Sequence, residues 1–450
     1  MKKTVLFSLL SCFLILMSCF NDDDFGGGNV LQPVPFTVTV KYDQAVGGFL
    51  AKNTNVILKN ESTGEEVKGK TDENGELKLS QVLPGTYLIN ADITLNKQEY
   101  YNLFGITTNK DEVSFNGSQE KVSINSNISS TIITLANGTV GDFVVKQYYY
   151  AGSSTSLGAL FRDQFVEIHN NSNTVLYADG LYLAFLEGNI NDNVTSFTLP
   201  NGQFDWSLSP GNNIGAAANT DYVYAAAIVQ IPGTGNQYPV QPGESIVIAQ
   251  TAINHKAPYT NNNGVGIEIK DPSLTIDLSK ADFEVYLGDY FLTLGSTPLA
   301  TDIQNPAVPD LNIVAWDWSN KDLLMNSNSR TAVVIFNGVT QSEVKSYPKI
   351  ASPKTPTGNT YTRIPKSIIM DGVDIGNKTT AVVPKDLPND IDAGRATIMN
   401  AAGEIYGDYT SYSVIRKKKS TIGGRVILQD TNNSTNDFVT IKANPKGYAD

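Results

Sequence analysis

From Phe36 onward the chain places apolar residues at every second position and cuts each run short with glycine, asparagine or aspartate. Phe36, Val38 and Val40 form one run, Val56 to Leu58 another, Leu77 and Leu79 a third, and Tyr87, Ile89 and Ala91 a fourth. A period of two sends successive side chains to opposite faces, so these segments suit half-buried strands and cannot keep one face on a helix. The punctuation agrees. Thr63-Gly64 and Asn74-Gly75 accept positive φ, Asp72 can bond the amides ahead of it, and Pro84-Gly85 starts a further turn.

The pattern continues behind Gly141. DFVVKQYYYAG, then DQFVEIHNNSNTVLYADGLYLAFLEG, then QPGESIVIAQ each read as a strand closed by a turn. Phe165 to His169 is dense enough in apolar residues for a buried strand, and Asn170 to Asn173 is a polar turn. Tyr148, Tyr149 and Tyr150 alternate sides if extended, so they cannot form one flat platform. At 450 residues the chain is long enough for two or three domains, each with its own core.

The N-terminus carries an address. Lys2 and Lys3 precede an apolar run from Val5 to Leu16 that is too short to span a bilayer, and Leu16, Met17, Ser18 and Cys19 form a lipobox. Residues 1–18 are therefore expected to be removed, Cys19 to be acylated, and residues 19–33 to act as a tether through Asp22, Asp23, Asp24 and Gly26 to Gly28. Cys12 lies in the signal, so acylation of Cys19 leaves the mature chain without a thiol for disulfides, zinc or nucleophilic catalysis.

Other chemistry is thin. The only histidines, His169 and His255, are far apart, and no HExxH, Walker loop, GxSxG or GxGxxG occurs. Ser342 and Lys345 satisfy SxxK without its companion motifs. A net charge of −12 disfavours a nucleic-acid partner, and the basic run Arg416 to Lys419 reads as a solvated loop or strand edge. Asp282 and Glu284 share a face if extended, and a glycosidase, one kind of carboxylate-dependent hydrolase, would need such a pair about 5 to 9.5 Å apart across a cleft. Trp316, Asp317 and Trp318 put two indoles on one strand face, which suits either ligand stacking or core packing. Asp430, Asn432, Ser434 and Asp437 alternate as oxygen donors and form a weak calcium candidate. Thr435 and Ile441 stand where an EF-hand needs glycine and glutamate, and an Asx-rich turn would use the same residues. No other metal and no cofactor is expected.

Three resemblances follow from these residues. NVILKN followed by STGEEVKGKTDENGELKLSQVLPGTYLINA, with later strands at Lys121 to Ile124 and Thr131 to Leu135, resembles the transthyretin-like, or carboxypeptidase-regulatory-like, β-sandwich over residues 34–137. That family implies a stalk or adhesion module without an active site. Glu167, Ile168, Asn170 and Asn171, then Asp179, Gly180 and Leu183, then Pro242, Gly243, Glu244, Ile248 and Ala249 resemble the signature of a lamin-tail β-sandwich. Residues 141–450 would then be a lamin-tail-like domain with insertions at 189–239 and 252–354, in which a function could lie. The whole chain, including AINHKAPYTNN, SLTIDLSKADFEVY and SVIRKKK with GRVILQDTNNSTNDF, resembles a family of Bacteroidota lipoproteins with a domain of unknown function. Such proteins are often encoded beside TonB-dependent transporters, which implies ligand capture or docking at the cell surface. The expectation is an all-β, outer-membrane, lipid-anchored protein without enzymatic activity. The alternatives are an adhesive or structural surface module, or a carboxylate-dependent hydrolase.

Overall fold

The computed structural model describes residues 32–449 apart from 44–46, 61, 106–111, 138–142, 173, 188–194, 326–330, 377–383, 390, 393, 406, 423 and 431. The signal, Cys19 and the tether as far as residue 31 lie outside the described residues. Strands dominate, as the period-two pattern requires. Among the described residues, no helix is long and apolar enough to cross a membrane.

The front sheet comprises β1 (Val34–Tyr42), β2 (Asn55–Asn60), β3 (Glu66–Lys70), β4 (Glu76–Val82), β5 (Gly85–Asn96), β6 (Glu112–Ile124) and β7 (Ser130–Asn137). Their order is β3-β2-β5-β6-β7-β1-β4, with β1 parallel to β7 and the other pairings antiparallel. Phe36, Val38, Val40, Val56, Leu58, Tyr87, Ile89 and Ala91 all point into one core. The alternation is thus used as the sequence implies. Asp72 Oδ1 accepts from the amides of Asn74 and Glu76, and Gly75 takes φ 68°. A Cβ there would stand 2.7 Å from the Val40 carbonyl oxygen, so this turn needs glycine for conformation and for space. One element was not foreseen. Lys97–Phe104 is a helix, opened by a capping box between Asn96 and Glu99 and closed by Gly105 at φ 71°.

The rear region stacks two sheets. The first runs β17 (Phe283–Glu284), β14 (Ser245–Ala249), β9 (Phe165–Asn170), β8 (Phe143–Tyr149), β23 (Tyr412–Arg416), β26 (Phe438–Lys442). The second runs β20 (Lys349–Ala351), β21 (Thr360–Pro365), β12 (Tyr222–Gln230), β11 (Tyr182–Leu186), β19 (Val333–Phe336), β22 (Ile369–Val373), with β18 (Asn312–Trp316) also paired to β12. Short ribbons add β10 (Leu176–Tyr177) with β13 (Pro239–Val240), β15 (Tyr259–Thr260) with β16 (Gly266–Ile267), and β24 (Lys418–Ile422) with β25 (Arg425–Leu428).

Val166, Ile168, Ile246 and Ile248 of the first sheet meet Leu183, Phe185, Val229 and Ile335 of the second in one large core. The reverse face of the second sheet is covered too. Tyr182, Ala184 and Leu186 join Val223, Val334, Phe336 and Ile364 in another core. Both faces of β11 are therefore buried, which is why its sequence is continuously apolar. Each large side chain so buried contributes about 1.5–3 kcal/mol. The regions expected as insertions are not peripheral. Residues 189–239 supply β12, which pairs with β11, β18 and β21, and residues 252–354 supply β18 and β19.

Candidate functional site

The lamin-tail-like signature residues hold backbone. Asn170 Nδ2 donates to the carbonyls of Thr174 and Val240, and Asn171 both donates to and accepts from Leu428, pinning β25 to the end of β9. Asp179 accepts from the amides of Gly235, Gln237 and Tyr238, bonds that hold its carboxyl below the usual aspartate range despite the opposing effect of burial. These are loop-fixing roles.

On the outer face of the first sheet, β8, β9 and β14 bring Lys146, Glu167, His169 and Ser245 together. Lys146 Nζ stands 2.8 Å from Glu167 Oε1 with both side chains essentially buried, and it donates to Ser245 Oγ at 3.3 Å. His169 Nδ1 lies 3.0 Å from Ser245 Oγ, and Nε2 lies 3.2 Å from the Val426 carbonyl. A carbonyl only accepts, so Nε2 carries the proton and Nδ1 accepts from the serine. The arrangement looks like an activated nucleophile. Its electrostatics say otherwise. Burial, reinforced by the nearby Lys146, Arg425 and Arg416, pushes the imidazole from 6.5 down to about 4. A base that weak is poorly matched to taking a serine proton at neutral pH. Tyr448 completes the cluster, its ring 3.7 Å from Lys146 Nζ and its hydroxyl donating to the Gly243 carbonyl at 2.9 Å. A small cavity of about 270 Å³ opens beside Ser245 and Tyr448.

A second charged centre corrects the sequence reading. Arg416 is not a solvated edge residue but is 2 % exposed. Its guanidinium meets Asp371 at 2.7 Å, Asp430 at 3.1 Å and Asp437 at 3.4 Å, and donates to the Val145 and Gln429 carbonyls. Two of the calcium candidates thus face a guanidinium. Ser434 donates to Asp392, and Asn432, at φ 53°, donates its amide to Asp430. Burial raises Asp371 to about 7 even beside Arg416. Among the described residues, no group of three or more His, Cys, Asp or Glu could hold a metal ion.

The tryptophans do not form an exposed platform. Trp316 is 8 % exposed, donates Nε1 to the Asn320 carbonyl, and meets Trp318 edge to face at 5.2 Å. Trp318 packs on Phe185, and Asp317 pairs with Lys349 at 2.5 Å. Asp282 accepts from the Val247 amide and pairs with Lys446, whereas buried Glu284 accepts from the amides of Ala252 and Asn305. Burial raises Glu284 to about 7. His255 is enclosed, with Nε2 on the Thr251 carbonyl, and burial lowers it to about 4. Ser342 and Lys345 are exposed on the short helix Gln341–Ser346.

The large open feature is elsewhere. A groove of about 930 Å³ runs along β26, the edge strand of the first sheet, floored by Phe438 and Thr440 and walled by Thr397, Met399 and Tyr412. The threonines hold the wall in place. Met399 N donates to Thr440 Oγ1, Arg395 N donates to Thr435 Oγ1, and Met399 bridges to Ile405 to close a hairpin. Asp392 anchors the base by accepting from Asp374 N, Gly394 N, Ser434 N and the Ser434 hydroxyl. Met399 is 44 % exposed and Tyr412 36 %. No sequence signal marked the groove, because its lining comes from irregular segments that only the tertiary fold brings to β26.

Residues 241–445 match the family described as "Protein of unknown function (DUF4876)". No curated protein matches the chain. Among solved structures, the chain is similar to a DUF4876 family protein from Bacteroides thetaiotaomicron at 23 % identity and a TM-score of 0.54, covering 93 % of this chain and 98 % of that one. The family match bears out the resemblance to proteins with a domain of unknown function, and the structural likeness bears out the all-β fold. A "putative adhesin" from Bacteroides ovatus shares 11 % identity, with 84 % and 96 % covered and a TM-score of 0.19. A "putative cell adhesion protein" from Bacteroides eggerthii shares 12 %, with 50 % and 82 % covered and a TM-score of 0.17. Scores that low carry no argument.

Proposed function

We propose that this chain is a lipid-anchored outer-membrane protein, without catalytic activity, that docks on a protein partner at the cell surface. The observation that carries the reading is the groove beside β26. It combines the edge strand β26, exposed Met399 and Tyr412, and a wall held by threonine hydrogen bonds, whereas Glu284, Asp430 and Asp437 are committed to backbone amides or to Arg416. An edge strand flanked by apolar side chains suits an extended segment of a partner, which adds main-chain hydrogen bonds along the edge and seats alternate side chains in the groove. The lipobox supports the location, and the family resemblance points to a TonB-dependent transporter as the partner.

Surface cross-linking followed by affinity purification tests the reading. A transporter is expected in stoichiometric yield, and Met399→Glu with Tyr412→Glu, both at exposed positions, should abolish its recovery. Absence of any transporter would overturn docking, and retention of a matrix component alone would favour an adhesive module. Cys19→Ala should abolish incorporation of labelled palmitate. Persistent labelling would remove the anchor.

A further inference from the structure

We propose that Lys146 and Glu167 become joined by an amide bond between Nζ and Cδ once the rear region has folded. The geometry is that of a reactant pair. Lys146 lies at the register shift between Val145 and Gln147, a bulge that re-aims its side chain toward the neighbouring strand. Its Nζ stands 2.8 Å from Glu167 Oε1, so the two groups that would be joined are already in contact. Neither side chain is exposed by more than 1 %. The Tyr448 ring covers the nitrogen at 3.7 Å and keeps water away from the face it shields.

Burial holds Lys146 below the ordinary lysine range and Glu167 above the ordinary carboxylate range. Both shifts favour moving a proton from the ammonium to the carboxylate, which yields the amine and the acid that react. The Nζ–Cδ bond then forms. Ser245 Oγ accepts from Lys146 and holds the nitrogen in place. In the adduct a second proton passes from nitrogen to the hydroxyl, the Cδ–O bond breaks, and one water leaves. Ammonium plus carboxylate gives amide plus water, so atoms and charge balance with no further reactant. Such a bond would turn a buried ion pair into a cross-link between β8 and β9. The class of change is an autocatalytic modification, and it requires neither ligand nor partner.

Peptide mapping of the full chain tests it directly. Trypsin should fail to cut after Lys146, and Val122–Arg162 should be recovered joined to Asp163–Lys256, lighter than their sum by one water molecule. Lys146→Arg should remove the joined species and release Asp163–Lys256 unmodified. Quantitative cleavage after Lys146 in the wild type, with both glutamate- and lysine-bearing peptides at full mass, would overturn the proposal. The wild-type result suffices even if the variant folds poorly.

Discussion

Replacing Arg416 by methionine keeps much of the side chain's bulk and removes its charge. The guanidinium at 2.7, 3.1 and 3.4 Å from Asp371, Asp430 and Asp437 has a gross attraction of about 5–6 kcal/mol for each at an effective dielectric near 20. Desolvation and mutual repulsion among the carboxylates offset most of that sum. What decides the outcome is the state left behind, three acids in a buried site without their shared cation, and breaking such an arrangement costs about 3–5 kcal/mol. For a region of this size the midpoint of thermal unfolding should fall by roughly 6–10 °C. The deficit must also depend on pH. Asp371 titrates near 7 in the folded protein against 3.8 as its ordinary value, so acid neutralises the uncompensated charge in the folded state. Near-UV circular dichroism melts of Arg416→Met and wild type at pH 8 and pH 5.5 should show the larger gap at pH 8. An equal gap at both pH values, or none, would refute the argument that Arg416 neutralises these acids.

Gly75→Ala should destabilise the front sheet by about 1–3 kcal/mol, because alanine at φ 68° is strained and its Cβ meets the Val40 carbonyl; urea unfolding followed by Tyr fluorescence checks this. Trp316→Ala should cost about 3–5 kcal/mol in thermal melts as a core truncation, and a loss under 1 kcal/mol would return the indole to the surface. Wild-type stability should fall as pH rises from 5 to 8. Asp163, Glu187, Glu284 and Asp302 are each raised by burial to about 7, so the folded chain keeps protons that the unfolded chain releases near pH 4. His169 and His255, lowered to about 4, act in the opposite sense below pH 6.5, but they are outnumbered; a stability maximum at pH 8 would contradict this sum.

The front strands were legible because each exposes one face and buries the other, which writes the period of two into residues such as Phe36, Val38 and Val40. The helix at Lys97–Phe104 was also written in the sequence, as Asn96 with Glu99 and a closing Gly105, but its mean pattern is too polar to stand out beside strong strands. The second rear sheet was hidden for the opposite reason. β12 and β19 are buried on both faces, so they carry no alternation and were read as parts of insertions. Arg416 was misread because a basic run looks solvated until its partners, Asp371, Asp430 and Asp437, arrive from other segments. The groove was invisible for the same reason. Tyr412 and Phe438 belong to paired strands, but Met399 enters from a loop whose position is fixed by single threonine hydrogen bonds.

The first rear sheet joins β8 directly to β23, so Gln147 and Ile415 lie side by side across more than half the chain. Lys446 reaches back to Glu167 from still later. A chain delivered from its N-terminus must hold β8 and β9 without their neighbour until almost the last residues emerge, and the loop to be closed is long. The front sheet needs nothing beyond Asn137 and is free to fold at once. Order of emergence therefore separates the two halves in time.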